Sequence, residues 1–262
     1  MSSKSTVLIT GASTGIGAVY VDRFARRGHG LVLVARDLAR LEQVAGRLRA
    51  EAGVRVGVLH ADLADEAGLE RVAQRLRDDG RIGVLVNNAG FLTHGKFLDQ
   101  GGGGIARLIA VNVTAVARLA NAIAPRLVAA GDGAIINLGS VVGLAPELGL
   151  TVYGATKAFV LFLSQGLHLE LGPKGVYVQA VLPTATRTEI WEHSGRDVNA
   201  MPAAMETGEL VDAALVGFDR RETVTIPPLP DAGQWDALEA ARQAMLPNFM
   251  QVHAAARYRA AA

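Results

Sequence analysis

Thr6-Val-Leu-Ile-Thr-Gly11-Ala-Ser13-Thr14-Gly15-Ile16-Gly17-Ala18 is the stretch on which the fold turns. Its first five residues, β-branched or leucine, read as a buried strand, and the turn that follows is built on Gly11, Gly15 and Gly17. An amphipathic pattern over 15–27 then predicts the first helix. Glycines at a strand-to-helix junction permit a tight turn and let phosphate oxygens reach backbone N–H groups at the positive helix end. The spacing is G-x-x-x-G-x-G rather than G-x-G-x-x-G. Placement directly after an apolar strand, more than the glycines themselves, marks a nucleotide-binding turn.

The same alternation continues along the chain. Strands are expected at 6–10, 31–35, 55–60, 84–87, 134–138, 176–182 and 223–226, and helices at 15–27, 38–52, 66–77, 105–130, 153–171 and 206–218. Near-continuous apolar strands between helices indicate a parallel sheet covered on both faces, a doubly wound α/β fold. No Pro/Ser/Gly linker divides the series, so one domain is expected over 1–262. The glycine run 101–104 reads as a flexible connector. Periodicity fails over about 184–207 while Trp191, Met201 and Met205 stay apolar, which suits a lid beyond the carboxyl ends of the strands or an ordinary packed loop. A helical tail over about 231–262 is expected to pack on its own domain or on a neighbouring subunit.

Half of the 262 residues are hydrophobic and 19% are charged, enough for a sizeable core. A net charge of +1 gives no reason to expect nucleic acid or an anionic membrane as partner. The absence of cysteine excludes disulfides and thiolate chemistry and suits a reducing cytoplasm. The start has too short an apolar run for a secretory signal, and no uninterrupted apolar stretch reaches spanning length. His29, His60, His94, His168, His193 and His253 lack ligand spacing, so no metal site is expected.

Tyr153 and Lys157 share a helix face at i and i+4, thirteen residues after Ser140. A nearby cation stabilises phenolate, and a hydroxyl can hold a carbonyl, so the three residues suit acid-base chemistry on ketones and alcohols. At the end of the second strand, Arg36 faces the expected adenosine ribose, where arginine accommodates a 2′-phosphate and an acid a free 2′-hydroxyl. Asp37 could take the acid's part or cap the next helix. NADP(H) is therefore expected over NAD(H). Asp62 is placed to accept from the adenine amino group or to cap the helix beginning near Asp65.

Thr10-Gly-Ala-Ser-Thr-Gly-Ile-Gly17, Asp62, Asn87-Asn-Ala-Gly90, Asn112, Ser140 and Tyr153-x-x-x-Lys157 occur in the order and spacing of short-chain dehydrogenases/reductases, which the chain resembles over about 5–226. The resemblance implies a Rossmann-like seven-stranded parallel sheet, hydride transfer between NAD(P)H and a carbonyl/alcohol pair, and a homotetramer or dimer. It implies a catalytic set of Asn112, Ser140, Tyr153 and Lys157: Ser140 positions the carbonyl, Tyr153 exchanges its proton, Lys157 lowers the phenol's pKa and binds ribose, and Asn112 holds a relay water. Cofactor contacts are implied at Gly11, Ser13, Thr14, Gly15, Ile16, Gly17, Arg36, Asp62, Leu63, Asn88, Ala89, Gly90, Tyr153, Lys157, Pro183, Thr184, Thr186 and Thr188.

Two departures stand out. Pro183 is followed by Thr184 where the family usually has glycine, and Ser140 is preceded by Gly139 rather than the more frequent serine. Leu144, Leu148 and Trp191 suggest an apolar cleft, favouring an uncharged ketone, aldehyde or secondary alcohol. Two other readings use the same scaffold. An epimerase or dehydratase would carry a longer substrate region and a G-x-x-G-x-x-G turn, and a catalytically silent nucleotide-sensing protein would show a decayed tetrad.

Overall fold

The computed structural model describes residues 4–93, 95–189 and 204–259. Seven parallel strands, β1 (Thr6–Thr10), β2 (Leu31–Ala35), β3 (Val56–His60), β4 (Ile82–Asn87), β5 (Ala134–Leu138), β6 (Tyr177–Val181) and β7 (Val224–Thr225), form one sheet in the order β3-β2-β1-β4-β5-β6-β7. Every residue of β2, β5 and β6 is buried, which is why these strands read as near-continuous apolar runs, broken only by Asn137 in β5 and Gln179 in β6.

Side chains alternate between the two faces, as a strand's period of two requires. Val7, Ile9, Leu33 and Ile136 join one cluster with Phe24, Leu41 and Val211, from α1 (Gly15–Arg26), α2 (Leu38–Ala52) and α7 (Thr207–Asp219). Leu8, Leu85, Ile135 and Val178 join the other with Val72 and Ile123, from α3 (Glu66–Asp78) and α5 (Val116–Ala130). The remaining long helix, α6 (Thr151–Leu171), carries Tyr153 and Lys157 in its first turns.

The chain builds β1, β2 and β3 outward, then crosses to β4 on the other side of β1. That reversal opens a crevice at the carboxyl ends of β1 and β4, where such sheets bind ligands. Side chains tie the two strand ends together. Asn88 Nδ2 donates to the carbonyls of Thr10 (2.8 Å) and Gly11 (3.2 Å), while the Thr10 hydroxyl accepts the N–H groups of Asn88 and Ala89, both at 3.0 Å.

The glycine run does not behave as a connector. Gly102–Ile109 is helix α4, so three of the four glycines form its first turn, where no intrahelical N–H bond is needed. A π-helical turn over Ala110–Ala115 joins α4 to α5 and carries Asn112. The combined helix Gly102–Ala130 is long and apolar enough to cross a membrane by length and composition, but Arg107, Arg118 and Arg126 interrupt its apolar run and half of its most apolar window is buried in the protein.

The chain divides into two compact units, Met1–Pro227 and Pro228–Ala262. The sheet and both core clusters lie in the first. In the second, α8 (Ala232–Ala244) and the 3-10 turns Leu246–Met250 and Ala256–Tyr258 contain no buried residue.

Candidate active site

A cavity of about 710 Å³ lies at the β1/β4 crevice. Its walls bring together the glycine turn (Gly11, Ser13, Thr14, Gly15, Ile16), the β2 end (Arg36), the β3 end (Asp62, Leu63), Asn88-Ala-Gly90, Ser140, Tyr153, Lys157, and Pro183, Thr184, Thr186 and Thr188. The glycine turn fits a dinucleotide phosphate. Thr14 is the N-cap of α1 without a side-chain cap bond, so the first-turn N–H groups keep their capacity for an anion.

Three residues fall elsewhere than expected. Gly17 does not line the cavity; it lets the turn close, because a Cβ there would sit 2.0 Å from the Gly11 carbonyl oxygen. Leu144 also lies off the wall and is 38% exposed, while Leu148 does line it. Asn112 is buried behind the wall. A Cβ on Gly90 would lie 3.8 Å from both Asn112 Oδ1 and Lys157 Nζ, so the two groups flank the same glycine. Trp191, Met201, His193, His94 and most of the expected lid lie outside the described residues.

On α6, the Lys157 ammonium lies 5.5 Å from the centre of the Tyr153 ring and donates one bond to the Leu138 carbonyl at 2.8 Å. Two of its three N–H groups remain for other acceptors. Burial lowers the Lys157 pKa to about 8, which still leaves the amine protonated at neutral pH. Burial raises the Tyr153 pKa above its ordinary value. In the protein alone, desolvation of the phenolate therefore outweighs any lowering by the ammonium, contrary to the sequence expectation for this pair.

Ser140 Oγ donates to the Pro183 carbonyl at 3.1 Å and accepts weakly from the Val142 N–H at 3.4 Å. Its turn is pressed onto α6 through two glycines that sequence reading passed over. A Cβ on Gly143 would lie 2.7 Å from the Ala158 nitrogen, and one on Gly154 would lie 2.9 Å from the Val142 carbonyl oxygen. The only sequence signal was a glycine three residues after Ser140 and another next to Tyr153.

Asn112 braces the same helix. Its amide donates to the Phe91 carbonyl (2.9 Å) and to Thr156 Oγ1 (3.2 Å), its oxygen accepts the Phe91 N–H (2.8 Å), and Thr156 donates to the Tyr153 carbonyl at 2.7 Å. Both N–H bonds of the amide are thus taken, so the side chain has none left to donate to a relay water.

At the end of the cavity lined by the β2 and β3 ends, Asp65 caps α3 and Asp62 does not. Asp62 accepts the Ala64 N–H at 2.9 Å and pairs with Arg107 at 2.8 Å. Burial raises its pKa, but these bonds more than offset that and hold it below the usual carboxylate value. Asp37 takes its capping alternative, accepting the Arg40 N–H at 3.0 Å. Arg40, Arg107 and Glu189 also line the cavity; nothing periodic marks them. Among the described residues, no three His, Asp or Glu side chains are gathered for a metal.

The family model for short chain dehydrogenases matches residues 5–199. Very-long-chain 3-oxoacyl-CoA reductase of Bos taurus is 37% identical over 187 residues, covering 70% of this chain. The chain spans about 60% of the length of such curated relatives. A short-chain dehydrogenase from Sphingobium yanoikuyae, solved in complex with NADPH, is 64% identical with a TM-score of 0.96, covering 97% of this chain and 100% of that one. The bulky-bulky ketone specific alcohol dehydrogenase from Comamonas testosteroni is 56% identical with a TM-score of 0.92, covering 98% and 99%. With its parallel sheet, glycine turn and Tyr-x-x-x-Lys helix around one cavity, the chain belongs to the short-chain dehydrogenase/reductase family of oxidoreductases.

Proposed function

We propose that the protein reduces uncharged, bulky ketones with NADPH and oxidises the corresponding secondary alcohols with NADP. The observation that carries this reading is a single cavity holding the glycine turn and Arg36 together with Ser140, Tyr153 and Lys157. The NADPH complex of the Sphingobium relative and the ketone preference of the Comamonas relative support it.

When bound, the nicotinamide supplies or accepts the hydride. The protein's own residues do the rest. Ser140 can turn its hydroxyl from the Pro183 carbonyl to a substrate oxygen and hold it in place. Tyr153, kept neutral by burial, is a proton donor at neutral pH and gives its proton to that oxygen as the ketone is reduced. In oxidation the phenolate must accept the proton, so that direction gains from alkaline pH. Lys157 keeps a positive charge beside the ring and has two N–H groups for ribose hydroxyls. Asn112 holds α6 in register through Phe91 and Thr156. Arg36 receives the 2′-phosphate. A reducing compartment and a homo-oligomer belong to the same proposal, supported by the lack of cysteine and by the family.

The test follows absorbance at 340 nm with NADPH or NADH and a ketone panel running from acetone to diaryl ketones. Turnover of bulky ketones with NADPH, reduced about 10²–10⁴-fold in Tyr153→Phe, is the expected result. Tyr153→Phe turning over like the wild type, or a preference for NADH or for charged substrates, would overturn the reading.

A further inference from the structure

Arg40 stands in the first turn of α2, on the cavity wall with Arg36 and Asp37. Its Nη1 donates to both carboxylate oxygens of Glu189, at 2.8 and 3.1 Å, and its Nε lies 3.5 Å from Asp37. Glu189 comes from the far side of the sequence, at the end of the described segment that places Thr184, Thr186 and Thr188 on the same wall. The ion pair therefore joins the adenosine end of the cavity to the segment leaving β6.

The strength of that pair decides what it can do. Arg40 and Glu189 side chains are 49% and 45% exposed, and a pair so open to water contributes little. A phosphate monoester carries close to two negative charges and three acceptor oxygens, and a guanidinium can meet two of them in parallel. In exchange for phosphate, Arg40 gives up a weak partner for a stronger one. Glu189, already half in water, is released at small cost. Asp37 does not compete for the guanidinium to the same degree, because its carboxylate is engaged in capping the Arg40 backbone N–H.

We propose that Arg40 is a second ligand for the 2′-phosphate beside Arg36, and that Glu189 is the counter-charge it leaves, so that Glu189 tunes how strongly the site prefers a 2′-phosphorylated dinucleotide. This rests on the NADP reading given above. A dinucleotide with a free 2′-hydroxyl has nothing to draw Arg40 away, and the Arg40–Glu189 pair persists in its complex. Among the described residues, Asp62 and Arg107 near this end are joined to one another at 2.8 Å.

Dissociation constants for NADP and NAD, and for 2′-AMP and 5′-AMP as fragments, measured by calorimetry on the intact chain at low salt, test this without turnover. Glu189→Gln is expected to tighten NADP and 2′-AMP by up to about fivefold and to leave NAD and 5′-AMP unchanged. Arg40→Ala is expected to weaken NADP and 2′-AMP about tenfold or more, again sparing NAD. In the double variant, Glu189→Gln should have no further effect. Tightening by Glu189→Gln that persists without Arg40 would overturn the exchange, since the carboxylate would then act on the phosphate directly. Unchanged discrimination in Arg40→Ala would overturn it as well while leaving the NADP reading intact. Equal affinity of the wild-type protein for NADP and NAD would instead remove the NADP reading and the inference with it.

Discussion

Lys157 shows at the scale of one side chain how the site is held against the fold's own preference. The residue is only 5% exposed, and one bond to the Leu138 carbonyl does not restore what water supplied, so its pKa falls from 10.5 to about 8. At this group the folded state then binds fewer protons than the unfolded one between pH 8 and 10.5, so the amine's contribution to stability rises through that window as pH increases. Below pH 8 the full burial penalty applies. Lys157→Met removes the titration, so its stability relative to wild type is expected to fall, by on the order of 3 kcal/mol, as pH goes from 7.5 to 10.5. Urea denaturation midpoints of the two proteins at both pH values measure this, and a difference that stays constant would show that the amine does not titrate in that window. Tyr153 and Ser140 were legible in the sequence because their chemistry and spacing are local. The state of the phenol was not, since burial is a property of everything around it.

Between elements, close approach of backbones sets the geometry. The turn bearing Ser140 reaches α6 only because Gly143 has no side chain; a Cβ there would meet the Ala158 nitrogen at 2.7 Å. Gly143→Ala is expected to cost about 1–3 kcal/mol of stability, by overpacking. It should also lower turnover by about tenfold or more, because Ser140 is carried away from Tyr153. A variant with normal kcat and normal stability would mean the contact positions nothing. At the opposite end of the sheet, the 8% exposed Asp79 carboxylate joins the end of α3 to the start of β4. It accepts the Arg81 Nε at 2.8 Å and the Arg81 N–H at 3.2 Å, and pairs with Arg75 at 3.0 Å. The Arg81 side-chain bond, with help from the others, lowers its pKa to about 2. Its contribution is complete above about pH 4 and lost as pH falls from there towards 2. Asp79→Asn is therefore expected to cost about 1–2 kcal/mol at pH 7 and almost nothing at pH 2, read from thermal midpoints. The strands and helices themselves followed hydrophobic period closely. The exception was 101–104, where composition suggested a connector and the first turn of a helix tolerated the glycines.

Across the whole molecule, both core clusters are complete within the first unit, and α8 and the turns after it bury none of their residues. A chain ending at Pro227 is accordingly expected to lose only the far-UV signal of α8 and to keep a denaturation midpoint within a few degrees of the full chain, dilute protein being used for both. A shortened chain that unfolds or aggregates would show that 228–262 supplies stability the sheet lacks. Masses from size-exclusion chromatography of both chains would also show whether the assembly the family implies depends on Leu246, Phe249 and Met250, which stand 49%, 67% and 84% exposed.

Sequence alone determined the individual strands and helices, the glycine turn and the Tyr153/Lys157 spacing. Each depends on neighbours within a few residues, and helix and strand periods write such relations directly into the chain. Tertiary structure decided the remainder: Arg107 on Asp62 across 45 residues, Arg40 on Glu189 across 149, and Gly143 against the backbone of α6. Those pairings depend on where loops end in space and on which charges are left half-dry there, and no local pattern records either.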